Sequence, residues 1–118
     1  MAIQINNGGN VYFRREGGAF IASVLDVWER TANQQWMLIA KYEFKSPTEA
    51  LESAQVDINP GTYTCRLHTY VFENLNGIYH FTLQTDSSVI VDVSGDINST
   101  SAPDDDGLDV KGFELEVL

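Results

Sequence analysis

The sequence predicts an all-β fold, a two-sheet antiparallel β-sandwich of about 7–9 strands, with one short helical turn near residues 47–53. Three observations carry this expectation. Short runs alternate apolar and polar residues with period two. Gly, Asn, Asp and Ser recur between those runs. The 118 residues, 43% hydrophobic and 20% charged, suit a single domain, 1–118, able to bury its own core.

Runs 2–6 and 11–15 open the chain as strands, punctuated by the glycine pairs 8–9 and 17–18. Run 20–28 is ambiguous alone, because Phe20, Val24, Val27 and Trp28 also suit a helix. Its neighbour decides. From residue 36 to 44 the even positions are Trp36, Leu38, Ala40, Tyr42 and Phe44, and the odd ones include Lys41 and Glu43, the pattern of a half-buried strand. A hairpin around 30–34 that pairs Trp28 with Trp36 sets Val24 against Ala40 and Phe20 against Phe44. Each such cross-strand pair contributes roughly 0.2–1 kcal/mol. Asp26 is the misfit on the shared even face.

Ser46-Pro47-Thr48-Glu49 orders an N-cap, a first-turn proline and a capping-box glutamate, which predicts the helical turn. A strand is expected at 55–58. A second hairpin is expected from 62–73 and 78–84, joined by Asn74-Leu75-Asn76-Gly77, whose Asn-Gly pair supplies positive φ. Strands at 89–93 and 108–118 complete the set. Between them, 95–107 is rich in Ser, Asn and Asp and reads as an exposed loop.

The run Asn59-Pro60-Gly61-Thr62-Tyr63-Thr64-Cys65 resembles the Asp-x-Gly-x-Tyr-x-Cys run of immunoglobulin-like domains. The resemblance implies a sandwich in which Tyr63 makes a corner, its hydroxyl bonded to upstream backbone. It gives Trp36 the place of that family's core tryptophan. Asn59 stands where the family has an acid, and Cys65, the sole cysteine, has no disulfide partner. The resemblance spans these residues alone and implies no activity.

Seventeen acids oppose seven bases, a formal net charge of −10. Thirteen of the acids and only two of the bases follow residue 45. Phosphate neutralisation needs clustered cations, so nucleic acid is an unfavoured partner, and so is an anionic membrane. No apolar run has the length of a membrane span, and the first residues lack the basic and apolar regions of a secretory signal. Cytoplasmic synthesis is expected, with the final location left open.

Two constellations are candidates for function. Asp96, Asp104, Asp105, Asp106 and Asp109 offer oxygen ligands for calcium; the alternative is a solvated acidic loop. In the expected 62–84 hairpin, Tyr70 and Phe72 share a face with Phe81 and Leu83, while Tyr63, Cys65 and Leu67 take the other. Such a hairpin is buried on both sides, is bulged, or exposes an aromatic patch that docks a protein, a second copy or a sugar ring. Tyr70, Phe72, Trp28 and Trp36 form the candidate interaction surface. His68 and His80 fall on opposite faces. There is no Gly-x-Ser-x-Gly elbow and no phosphate-binding glycine loop, and an enzyme is the least favoured class. The expectation is a non-catalytic interaction or assembly module, a subunit of a larger particle or complex. The alternative is a small carbohydrate- or ligand-binding module assisted by calcium.

Overall fold

Alternation places one side of a strand toward the core and the other toward solvent, and nine strands are built this way among the described residues. A computed structural model describes residues 2–98 and 108–118. The strands are β1 (Ile3–Ile5), β2 (Asn10–Glu16), β3 (Phe20–Arg30), β4 (Trp36–Phe44), β5 (Leu51–Gln55), β6 (Gly61–Phe72), β7 (Ile78–Gln84), β8 (Val89–Asp96) and β9 (Leu108–Val117). They form a five-stranded sheet, β1-β9-β6-β3-β4, and a four-stranded sheet, β5-β2-β7-β8. Every pairing is antiparallel except that of β1 with β9.

The two sheets share one core, a sandwich-like arrangement. Ile21, Leu25, Val27, Phe44, Tyr63, Cys65, Leu67 and Leu115 come from the five-stranded sheet, and Val11, Phe13, Tyr79, Phe81 and Leu83 from the other. The Phe13 ring stacks on Phe44 across the gap at 5.3 Å and tilts against Phe81 at 5.8 Å. At one end Arg15 ties the sheets together. It follows Val11 and Phe13 on the inward side of β2, and its guanidinium donates to Ile21 O at 2.9 Å, Phe44 O at 2.9 Å and Glu52 Oε2 at 2.6 Å. The Tyr63 hydroxyl donates to Asn59 O at 2.5 Å, closing the corner that the sequence predicts.

Five expectations are corrected. No helix forms among the described residues, and β5 begins at Leu51 where the helical turn was expected. Ser46 Oγ does cap the backbone, accepting from Thr48 N at 3.3 Å and Glu49 N at 3.1 Å. The turn does not propagate because so short a helix is marginal alone. A ladder to β2, Arg14↔Leu51 through Asn10↔Gln55, and the Arg15–Glu52 pair take the segment instead. The strand expected at 55–58 is displaced: β5 ends at Gln55, and residues 56–58 lie outside any strand.

The β3–β4 hairpin exists in a different register. Arg30 pairs Trp36 and Trp28 pairs Leu38, but Val27 pairs Ala40, leaving Ile39 unpaired as a bulge. The bulge reverses the parity of β4. Ala40, Tyr42 and Phe44 face inward, whereas Trp36 and Leu38 face outward, on the side of Trp28. On β3 the core side is the odd one, Ile21, Ser23, Leu25 and Val27, which puts Asp26 on the outer face. Trp36 is therefore not a core tryptophan; it is 50% exposed.

Strands β6 and β7 are not a hairpin. They lie in different sheets, joined by a crossover through Asn74–Gly77. This resolves the doubly apolar reading: Tyr63, Cys65, Leu67 and Val71 face the core from one sheet, and Tyr79, Phe81 and Leu83 face it from the other. Tyr70 and Phe72 are left on an outer face.

Candidate functional site

The outer face of the five-stranded sheet is built by register. Across β3 and β6 it places Phe20 beside Phe72, Ala22 beside Tyr70, Val24 beside His68, Asp26 beside Arg66 and Trp28 beside Thr64. On the β4 side, Glu43 neighbours Val24, Lys41 neighbours Asp26 and Leu38 neighbours Trp28. On the β9 side, Val110 neighbours His68, Gly112 neighbours Arg66 and Glu114 neighbours Thr64.

The face has three zones. One end is aromatic, with Phe72 51% and Tyr70 40% exposed and Phe20 partly covered. The middle is charged: His68 Nε2 lies 3.2 Å from Asp26 Oδ2, and Lys41, Glu43 and Arg66 surround that pair. The other end holds both tryptophans. Trp28, Trp36, Thr64 and Arg66 line a shallow pocket of about 240 Å3. Arg30 fixes the Trp36 ring, its guanidinium 5.4 Å from the ring centroid and its Nε donating to Gln34 Oε1 at 3.0 Å. Such a cation–π contact contributes about 0.5–1 kcal/mol at an exposed site. The four residues expected to form an interaction surface thus share one face, in two pairs about 20 Å apart by strand rise.

The outer face of the four-stranded sheet is polar. Its central residues are Arg14, Glu16, His80, Thr82, Asp92 and Ser94. His80 Nε2 sits 2.8 Å from Asp92 Oδ1 and Nδ1 sits 3.4 Å from Glu16 Oε2. The hydrogen bond to Asp92, more than that to Glu16, raises the imidazole pKa above its ordinary value. His68 and His80 lie on the outer faces of different sheets, so they share no site.

Of the expected calcium ligands, Asp104, Asp105 and Asp106 lie outside the described residues. Asp109 is 3.5 Å from Lys111, and its Oδ2 is buried without a hydrogen-bond partner among the described residues. Among the described residues no three His, Cys, Asp or Glu side chains gather as a metal site. Cys65 is fully buried, and burial pushes its thiol up to about 12, which leaves no nucleophile there.

Sequence reasoning missed Arg15. Its signal was its place on the inward parity of Val11 and Phe13, with Glu52 opposite Phe13 on β5. Comparison with protein-family models, curated proteins and solved structures found no match to this chain.

Proposed function

We propose that this chain is a non-catalytic interaction or assembly module, a subunit of a larger particle or complex, which engages its partner through the outer face of the five-stranded sheet. One observation carries the reading. Trp36, Leu38, Tyr70, Phe72 and Val110, each at least two-fifths exposed, stand on that single face. Scattered exposed apolar residues need no explanation; here they gather on one outer face, in two groups flanking a charged band, and that concentration supports a docking surface.

The test pairs light scattering with thermal unfolding. The wild-type mass is expected to rise above that of the monomer with concentration. Tyr70→Ser/Phe72→Ser is expected to abolish the rise and leave the unfolding temperature within a few degrees. A monomer mass at high concentration, with strong destabilisation by the double substitution, assigns these aromatics to the core and ends the reading.

An immunoglobulin-like sandwich is the fold assignment that accompanies this reading. Supporting it are the Tyr63–Asn59 corner and the strand order β9-β6-β3-β4, which follows the G-F-C-C′ order of variable-type domains, with β2 and β5 opposite as B and E. The hairpin β7–β8, placed between β6 and β9 in the chain and beside β2 in the sheet, departs from that plan. The indole pair beside Thr64 and Arg66 supports a second functional reading, a small carbohydrate-binding module, which a glycan array tests. Binding to a sugar that is lost in Trp36→Ala favours it; an array without signal removes it.

A further inference from the structure

Both tryptophans of the chain line one pocket, together with Thr64 and Arg66. Register builds it. Trp28 on β3 is the neighbour of Thr64 on β6, Arg66 follows Thr64 on the same side, and Trp36 enters from β4. Arg30 holds the Trp36 ring, its guanidinium 5.4 Å from the centroid. One indole is thus fixed before any ligand arrives, which lowers the ordering cost of binding. The pocket, about 240 Å3, lies below the roughly 300–1,000 Å3 of drug-sized sites and suits a single ring.

The polar lining is rich in donors and carries a free cation. Arg66 makes no ion pair or hydrogen bond among the described residues, and it stacks on neither indole. Asp26, its neighbour on β3, is held by His68 at 3.2 Å instead. Its neighbour on β9 is Gly112, where even an added Cβ would meet nothing nearer than Cys65 O at 3.8 Å, so no side chain covers the guanidinium from that position. Glu114 stands beside Thr64 on β9, and no ion pair links it to Arg66. No acid lines this pocket, whereas Glu16 and Glu49 line the cleft beside Arg15, and Asp86 lines the one beside Asn10. Thr64 Oγ1 is the one side-chain acceptor of the lining, so the many hydroxyl donors of a neutral sugar are poorly served. A carboxylate only accepts, and it matches the flat fork of a guanidinium with two parallel hydrogen bonds. The negative faces of the indoles take the C–H edges of a ring.

We infer that this pocket binds a carboxylate carried on a single six-membered ring, with the carboxylate on Arg66 and the ring against the indoles. Two sources share that chemistry, a uronate sugar and an aromatic carboxylate. The inference rests on the second reading of the chain, a small carbohydrate- or ligand-binding module, and adds the charge of the ligand and the residue that reads it. In a chain of net charge −10 the attraction is local, exerted at contact range by one guanidinium.

The indole N–H resonances give the readout, because the chain has no tryptophan outside the pocket. Four probes are titrated at constant pH to about 50 mM, where even millimolar affinity saturates a site: methyl glucuronide, methyl glucoside, benzoate and acetate. Methyl glucuronide, benzoate or both are expected to shift the two indole signals saturably. Methyl glucoside, which has a hydroxymethyl group in place of the carboxylate, and acetate, which lacks the ring, are expected to bind at least about tenfold more weakly. Arg66→Gln is expected to weaken the carboxylated ring by about tenfold or more, and Arg66→Lys, which keeps the charge without the fork, by less. Arg66 is exposed, so both variants are expected to keep the wild-type unfolding temperature. A glucoside that binds as well as the glucuronide, with binding kept in Arg66→Gln, overturns the inference and leaves the carbohydrate reading standing. A response to benzoate alone, lost in Arg66→Gln, removes the carbohydrate reading and upholds the inference. Acetate binding as well as the carboxylated rings overturns it, and so does the absence of a shift with all four probes.

Discussion

The two outer faces of this molecule come from the same period-two alternation and differ in what the alternation exposes. On the four-stranded sheet the centre is polar, and the exposed apolar residues Leu51, Ile78 and Val89 stand apart at the margins. On the five-stranded sheet Trp36, Leu38, Tyr70, Phe72 and Val110 are exposed around a middle band where Asp26, Glu43, Lys41, Arg66 and His68 nearly balance. An acidic chain thus carries one outer face whose exposed aromatics flank a charge-balanced band and another whose centre is polar. Net charge read from the whole chain conceals this, because repulsion between surfaces is set locally.

The comparison breaks if inside and outside have been confused. Phe13→Ala, which removes a ring packed between Phe44 and Phe81, is expected to destabilise by about 3–5 kcal/mol in denaturant unfolding. Phe72→Ala on the outer face is expected to fall below about 1 kcal/mol in dilute solution. Equal effects would refute the assignment of faces. Next in size is the tie between the sheets. Arg15→Ala leaves the Glu52 carboxylate partly buried without its partner and removes donors to Ile21 O and Phe44 O, an expected loss of about 2–3 kcal/mol. Glu52→Gln, which keeps a neutral acceptor for the guanidinium, should lose less, and the same unfolding measurement separates them.

Two smaller effects sharpen the polar face. Thr82 Oγ1 is buried without a hydrogen-bond partner among the described residues, so Thr82→Val is expected to be neutral or to stabilise by up to about 1 kcal/mol. His80 gives a pH dependence whose sign follows from its raised pKa. Its contribution is fully present below the unfolded value near 6.5 and is lost as pH rises through the higher folded value. The stability difference between wild type and His80→Gln should therefore shrink from about pH 6.5 upward, with an NMR titration midpoint for His80 above 6.5. A midpoint at or below 6.5 would contradict the Glu16–His80–Asp92 arrangement.

Much of this fold is legible residue by residue. The strand expected at 78–84 matches β7 end to end, and the hydroxyl of Tyr63 bonds where the Pro-Gly-x-Tyr turn implies. Alternation reports which residues of one strand share a side. It does not report where the phase slips or which distant strand is the neighbour. Ile39 carries no mark of a bulge, so the even positions of β4 read as one face when they are two; Asp26 was the residue that registered the conflict. The Asn-Gly turn after β6 is a local signal, equally suited to a hairpin and to a crossover. The choice was made by partners remote in sequence, β2 for β7 and β9 for β6. The candidate surface was legible as a set of residues, Tyr70, Phe72, Trp28 and Trp36, but not as one face, because that required the bulge.

The position of β9 has a consequence in time. It lies between β1 and β6, bonded to both, so the five-stranded sheet stays split until residues 108–117 arrive. During synthesis the ribosome releases β1 long before any strand exists to receive it. Loop-closure entropy must be met over most of the chain before that parallel pairing returns any stabilisation, which places folding in the slow regime of non-local β topologies, milliseconds to seconds. Until then β6 presents a bare edge beside the aromatic end of the sheet, and the nascent chain is at its most adhesive just before β9 emerges.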